Sequence, residues 1–254
     1  MKYKSRHNDI FVEAHRGASG YYYMNTIPSF DEAVRLNSDA IELDIRKTKD
    51  GRIIVVHDAS YNGKLISDWN YDELCEETIK SYNHFTMPLL IDVLKRYKGK
   101  IIIDIEFKEA GYEKEVIDMV LSILDVNEFI VRSFYEDVLR KIKEINNNIY
   151  CVLLLGTGDK HKGGMFYHFL ELFPRGKIKK SKCDAVSPYY KLMICFFVSR
   201  MHRKRLPVYP WTVNTEKDIR KCIRKGVDGI VGNYPDKIIK IKGEEKNGKK
   251  WIKD

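Results

Sequence analysis

No apolar run in this 254-residue chain approaches the ~20 residues that a membrane-spanning helix needs, which excludes an integral helical membrane protein. The basic N-terminus, MKYKSRHNDIFVEAH, has neither the apolar segment nor the small-residue cleavage site of a secretory signal, so a cytoplasmic location is expected. Cysteine is sparse and scattered. The five (Cys75, Cys151, Cys183, Cys195 and Cys222) are odd in number and show no C-x-x-C spacing, a usage that fits buried thiols in a reducing compartment. Low-complexity linkers, repeats of fixed spelling and shifts in composition are also missing. One domain over residues 1–240 is therefore expected, followed by a charged tail at 241–254.

What is present is a soluble, core-forming composition, 44% hydrophobic and 32% charged, with a formal charge of +9. That charge favours anionic partners: phosphorylated metabolites, acidic membrane surfaces or nucleic acid. No basic-aromatic pattern resembles a nucleic-acid module, so nucleic acid is not the expected partner.

Eight short apolar, β-branched runs recur, at 11–15, 39–45, 100–107, 129–134, 149–155, 184–188, 206–213 and 228–232. Amphipathic segments such as IPSFDEAVRLN, EKEVIDMVLSIL and EKDIRKCIRKG separate them. This alternation is the sequence form of an α/β fold, a single parallel (β/α)8 TIM barrel. One further run, RIIVVHD at 52–58, follows a Lys49-Asp50-Gly51 turn and reads as a β-hairpin partner of the second strand. Folding back about Asp50 sets His57 beside Asp44.

In a parallel barrel the carboxyl ends of the strands converge on one mouth, so reactive groups are sought there. The first strand ends in His15 and Arg16, the second in Glu42 and Asp44, and the hairpin returns His57. The third ends in Glu106 and Lys108, the seventh supplies Trp211, and the eighth reaches Asn233. Glu42 and Asp44, like Glu106 and Lys108, are two apart and share a face. Such charges are costly to bury unless they pair or hold a cation. Glu42, Asp44 and Glu106 form an all-oxygen set suited to Mg²⁺ or Ca²⁺. Arg16 and Lys108 would neutralise phosphoryl charge, and His15 and His57 would form an acid–base pair across the phosphorus.

The ordered motifs HRGASGY, NT, IELDIRKTKDG, VVHD, IDIEFK, WTVN and GVDGIVGNYPD resemble the glycerophosphodiester phosphodiesterase family from about Val12 to Asp236. The resemblance implies a TIM barrel that uses one divalent cation to hydrolyse glycerophosphodiesters to glycerol phosphate and an alcohol. By position, His15 and His57 match the family's catalytic histidines and Arg16 its phosphate-binding arginine. Glu42, Asp44 and Glu106 match the metal ligands and Lys108 the site lysine. Trp211 reads as an apolar wall for substrate or as a packed core residue, while Asn233 and Ser133 are weaker candidates.

Two departures from the family stand out. Where Pro-Glu-Asn-Thr is usual, this chain has Tyr23-Met24-Asn25-Thr26, so a carboxylate has become a thioether. A working enzyme of reduced activity is expected; the alternative is a phosphodiester-binding or phospholipid-headgroup-binding relic. Asn25 and Thr26 are expected to cap a helix that begins near Ile27, and Gly17 and Gly20 to bend the preceding loop. The stretch after VVHD is short and lacks the usual arginine, which implies an open mouth that admits bulkier substrates such as lysophospholipids.

The other histidines (His7, His84, His161, His168 and His202) show no partner spacing and are expected at structural or surface positions. Between 161 and 182, Met165, Phe166, Phe169, Leu170, Leu172 and Phe173 precede a lysine-rich stretch, a texture repeated at 189–205. An ordinary outer helix with a basic loop explains it; an anionic membrane surface or a lysophospholipid tail is the sharper reading. The tail is expected to be a mobile charged end, with Trp251 as a weak anchor.

Overall fold

The computed structural model describes residues 10–82, 86–156, 171–194 and 196–250. Seven parallel strands run in the order β10 (Gly229–Gly232), β1 (Phe11–Ala14), β2 (Ala40–Lys47), β6 (Ile102–Phe107), β7 (Phe129–Ser133), β8 (Tyr150–Leu155) and β9 (Ala185–Pro188). The run at 206–213, expected as a full strand, is not one. Pro207 and Pro210 carry no N–H, so a continuous ladder cannot form there. The segment still closes the gap between β9 and β10. Parallel bridges join Val186 to Val208 and Tyr189 to Trp211, and on the other side Val231 N–H donates to the Pro210 carbonyl and Val213 N–H to the Val231 carbonyl.

Strand alternation divides the core in two. On β2, Ile41, Leu43 and Ile45 face outward into the cluster shared with the helices, as do Ile103, Ile105 and Phe107 of β6. Their neighbours Ala40, Glu42 and Asp44, and Ile102, Asp104 and Glu106, face the lumen. An apolar plug of Phe11, Ala40, Ile130, Tyr150, Val152 and Tyr209 fills the lumen's lower part. Polar groups are thereby confined to the lumen's upper part.

The hairpin partner is β3 (Ile53–Val55), antiparallel to β2, with Ile45 opposite Val55 and Lys47 opposite Ile53. Its register differs by one residue from the expected one: Val56, not His57, lies opposite Asp44, and Val56 N–H donates to the Asp44 carbonyl. The reason is the turn, which Thr48 closes by pairing with Arg52 while Gly51 takes φ +83. After β3 a short hairpin of β4 (Ser60–Tyr61) and β5 (Lys64–Leu65) leads into the helix Tyr71–Tyr82. This excursion is short, as expected, but it has a small core of its own in Ile54, Ile66, Leu74 and Met87.

The helix Ile27–Arg35 starts where its capping residues dictate. Thr26 accepts from Ser29 N–H, and the Ser29 side chain reaches back to the Thr26 backbone. Gly17, at φ +78, is required here because a Cβ would lie within 3 Å of the Ser29 backbone. Gly20 is no bend. It lets the Tyr234 ring approach, since a Cβ would come 2.2 Å from it.

Residues 241–250 of the expected tail are helical. They continue the helix Pro235–Lys250, in which Ile241 is buried and Glu244 and Glu245 pair with Arg220 and Arg224. Trp251 lies outside the described residues. Among the described residues, no helix is long and apolar enough to cross a membrane.

Candidate active site

The lumen opens at the carboxyl ends of the strands into a cleft of about 790 Å³, lined among others by His15, Arg16, Glu42, His57, Glu106, Lys108 and Trp211. Asp44 lies fully buried beneath Arg16 and Lys108. Each proposed ligand residue is held by a strand: Glu42 and Asp44 by β2, Glu106 by β6, with Glu42 opposite Asp104 and Asp44 opposite Glu106 in the parallel ladder. One carboxylate oxygen from each of Glu42, Asp44 and Glu106 lies within 4.8 Å of the others. No other such group of three occurs among the described residues.

The cations approach from the rim. Lys108 Nζ lies 2.6 Å from Glu106 Oε1 and 2.9 Å from Asp44 Oδ1, while Arg16 Nε lies 3.1 Å from Asp44 Oδ2. Arg16 N–H donates to Glu42 Oε2 at 2.8 Å, which the left-handed backbone of Arg16 (φ 55) makes possible. Asn25 is also left-handed and buried. It does not cap the helix; its side chain donates to Asp44 Oδ2 at 2.8 Å and accepts from Asp44 N–H.

Burial sets the electrostatics. It would raise the Asp44 carboxyl, but Lys108 and Arg16 outweigh it and hold Asp44 well below the ordinary carboxylate range. Burial, reinforced by Asp44 and Glu106, pushes Glu42 up to about 8. Burial likewise brings Glu106 to about 7, against the opposing pull of Lys108. Lys108 is raised, because Glu106 and Asp44 overcome its desolvation. Once all three carboxylates are ionised, two side-chain cations leave the pocket short of positive charge. A hard divalent ion matches both that shortage and the all-oxygen donor set, so the residues fit one.

His15 Nδ1 lies 2.8 Å from Asn233 Oδ1, and burial together with Arg16 lowers the imidazole to about 3. The ring is therefore neutral near pH 7. Since an amide oxygen only accepts, the proton sits on Nδ1 and Nε2 is left as the ring's acceptor. His57, half-buried, has Nδ1 at 2.8 Å from Asp58 Oδ1; burial and Lys108 lower it. Although one register step beyond Asp44, it feels that carboxylate and reaches the cleft.

Met24 stands against Arg16, with Sδ 3.1 Å from Nη1. Trp211 is fixed by donation from Nε1 to the Ser187 carbonyl and meets Phe134 edge-on at 5.5 Å, so it forms one wall of the cleft. Ser133 points the other way, donating to the Phe107 carbonyl and accepting from Tyr135 N–H. His202 pairs with Asp228. His7, His84, His161 and His168 lie outside the described residues.

One lumen group has no counterpart among the sequence candidates. Arg132 of β7, buried, pairs with Glu13 of β1 at 2.5 Å and with Asp104 of β6, two residues before Glu106 on its strand. The signal was the period of two: Glu13 precedes His15, and Asp104 precedes Glu106, by two residues.

Comparison with known proteins places this architecture. Residues 15–237 match the model of the glycerophosphoryl diester phosphodiesterase family. A glycerophosphodiester phosphodiesterase from Bacillus altitudinis is 31% identical over 92% of this chain and 99% of its own length. The lysophospholipase D GDPD1 of Mus musculus is 25% identical over 89% of this chain and 83% of its own. Among solved structures, an Oleispira antarctica phosphodiesterase in complex with the product sn-glycerol-3-phosphate superposes with a TM-score of 0.76, at 20% identity, covering 94% of this chain and 99% of that one. The chain belongs to the glycerophosphoryl diester phosphodiesterase family, and the barrel fold is that of its structural neighbours.

Proposed function

We propose, from the premise that this chain is a phosphoric diester hydrolase of that family, that it is a divalent-cation-dependent enzyme releasing glycerol phosphate from glycerophosphodiesters, lysophospholipids included. The observation that carries the reading is the convergence of Glu42, Asp44 and Glu106 within 4.8 Å, in a cleft lined by His15, His57, Arg16 and Lys108. Mg²⁺ or Ca²⁺ would be held by the three carboxylates, and when bound it supplies Lewis-acid polarisation of a phosphoryl oxygen. Arg16 and Lys108 neutralise the phosphoryl group from the rim and hold it in line.

His15, neutral with Nε2 unprotonated, takes the proton from the attacking O–H as its oxygen bonds to phosphorus, whether this is water directly or a substrate hydroxyl whose cyclic phosphate a water then opens. His57, whose charged form burial and Lys108 disfavour but Asp44 and Asp58 support, gives its Nε2 proton when charged to the leaving alcohol oxygen as the P–O bond breaks. Trp211 and Phe134 provide the apolar wall for the alcohol portion. Sequence relatedness to a lysophospholipase D and the short excursion after β3 support the larger substrates.

The test is release of glycerol phosphate from glycerophosphocholine, glycerophosphoethanolamine and a lysophospholipid, with Mg²⁺ or Ca²⁺ and with chelator. Turnover that chelator abolishes and either ion restores is expected. Inert protein at every ion concentration would leave only phosphodiester binding.

A further inference from the structure

Eleven large apolar side chains are exposed among the described residues, and eight of them sit in loops that leave the carboxyl ends of barrel strands. Residues 21–24 (Tyr-Tyr-Tyr-Met) follow β1, Tyr135 follows β7, Phe173 follows β8, and Ile194 and Phe196 follow β9. The opposite end of the barrel carries one, Ile145, the last residue of the helix Glu136–Ile145. Scattered exposed apolar residues need no explanation, but segregation to one end does. Phe196 is the extreme case. It is 85% exposed and stands in the left-handed region at φ 57, where a bulky side chain is strained.

Cations are interleaved with these rings. The Arg200 guanidinium lies 4.3 Å over Phe173, Lys191 Nζ is 5.8 Å from the Tyr190 ring, and Lys237 Nζ is 3.8 Å over Tyr234, which itself packs edge-on against Tyr21 at 5.4 Å. The acidic neighbour Asp236 is engaged by the Tyr21 hydroxyl. The loops come from the three adjacent strands β7, β8 and β9 and from β1 across the mouth, so their tips flank the cleft from two sides. Aromatic side chains with interleaved lysine and arginine suit the headgroup zone of an anionic bilayer.

We propose that this rim docks the barrel, mouth down, on an anionic lipid surface, so that the cleft takes lysophospholipid headgroups from the membrane. The docking stands on the rim alone, while its substrate consequence rests on the phosphodiesterase reading. The experiment is co-sedimentation with vesicles of phosphatidylglycerol and phosphatidylcholine at low and high salt, for the native chain and for the double variant Ile194→Asp/Phe196→Asp. Turnover of water-soluble glycerophosphocholine is measured beside it.

The native chain is expected to sediment at low salt and release at high salt. The variant should partition at least about 10-fold less while its turnover of soluble substrate is unchanged, which also shows that it is folded. A native chain that stays in the supernatant at low salt, or a variant that binds like the native chain, overturns the docking. Absence of soluble turnover in both proteins would sink the phosphodiesterase reading and leave the sedimentation result to be judged by itself.

Discussion

Two charged layers share one lumen, and β6 contributes a carboxylate to each. The lower one joins Glu13 of β1, Asp104 of β6 and Arg132 of β7; the upper one joins Glu42 and Asp44 of β2 and Glu106, two residues further along β6 than Asp104, with Arg16 and Lys108. In the lower layer one guanidinium sits between two carboxylates and the apolar plug closes the space beneath, so the charges answer one another. Glu13, Asp104 and Arg132 nevertheless keep atoms without a hydrogen-bond partner, which marks the layer as costly. In both layers the carboxylates outnumber the cations by one, but Arg16, Glu42, Glu106 and Lys108 of the upper layer line the open cleft, against Arg132 alone of the lower. The comparison teaches that burying charge does not by itself make a site. A converging surplus of one sign beside an opening does.

The sharpest way to break the comparison is to act on the cleft beside the upper layer, where His15 stands. His15→Ala should lower kcat by roughly 10²- to 10⁴-fold with little loss of stability, as removal of a general base would; steady-state kinetics and a melting curve together decide it. Acting on the lower layer should do the reverse. Arg132→Met leaves two buried carboxylates uncompensated and should cost about 3–5 kcal/mol of folding stability. Denaturant titration measures that loss, and adding Glu13→Gln and Asp104→Asn should recover much of it. An Arg132→Met protein as stable as the parent would mean the lower layer is not an ion cluster in solution.

A third prediction sharpens the difference through pH. Burial raises Glu42 to about 8 and Glu106 to about 7, so both hold protons at pH 6 and shed them as pH rises. Mg²⁺ or Ca²⁺ must displace those protons. Its affinity should therefore climb between pH 6 and pH 8.5, by about 10-fold per unit for each proton released, as titration calorimetry would show. A pH-independent affinity would count against these two carboxylates as ligands. The smallest effect is expected at Met24, whose sulfur touches Arg16 and not the carboxylate trio. Met24→Glu should raise activity by about 10-fold or less through better fixing of Arg16, since changes to residues that orient a site cost or gain about 10- to 100-fold. A larger gain would place that position in direct contact with the cation.

Period-two patterning and motif order made much of this molecule legible before any coordinates. His15, Glu106 and Lys108 stand at or just past strand ends as expected, while Glu42 and Asp44 share the lumen face within β2, which runs on to Lys47. Legibility failed where backbone hydrogen bonding, and not side-chain pattern, decides. The run at 206–213 has strand-like composition, but its prolines allow only bridges. The hairpin register moved by one because Thr48 and Gly51 shape the turn, which hydrophobic pattern does not encode. Asn25 looked like a cap because of its place before Thr26, yet its left-handed backbone turns the amide to Asp44.

The amino-acid order by itself determined the barrel, the family and the set of groups at the mouth, because these follow from local periodicity and from residue types at strand ends. Only the tertiary structure decided that Arg132 lies between Glu13 and Asp104, that Asn233 reaches His15 across 218 positions of chain, and that the exposed rings gather at one end. Those are facts of ring closure. When β10 meets β1 and the lumen is sealed, residues remote in sequence share one low-dielectric space, and their charges and hydrogen bonds must be settled together.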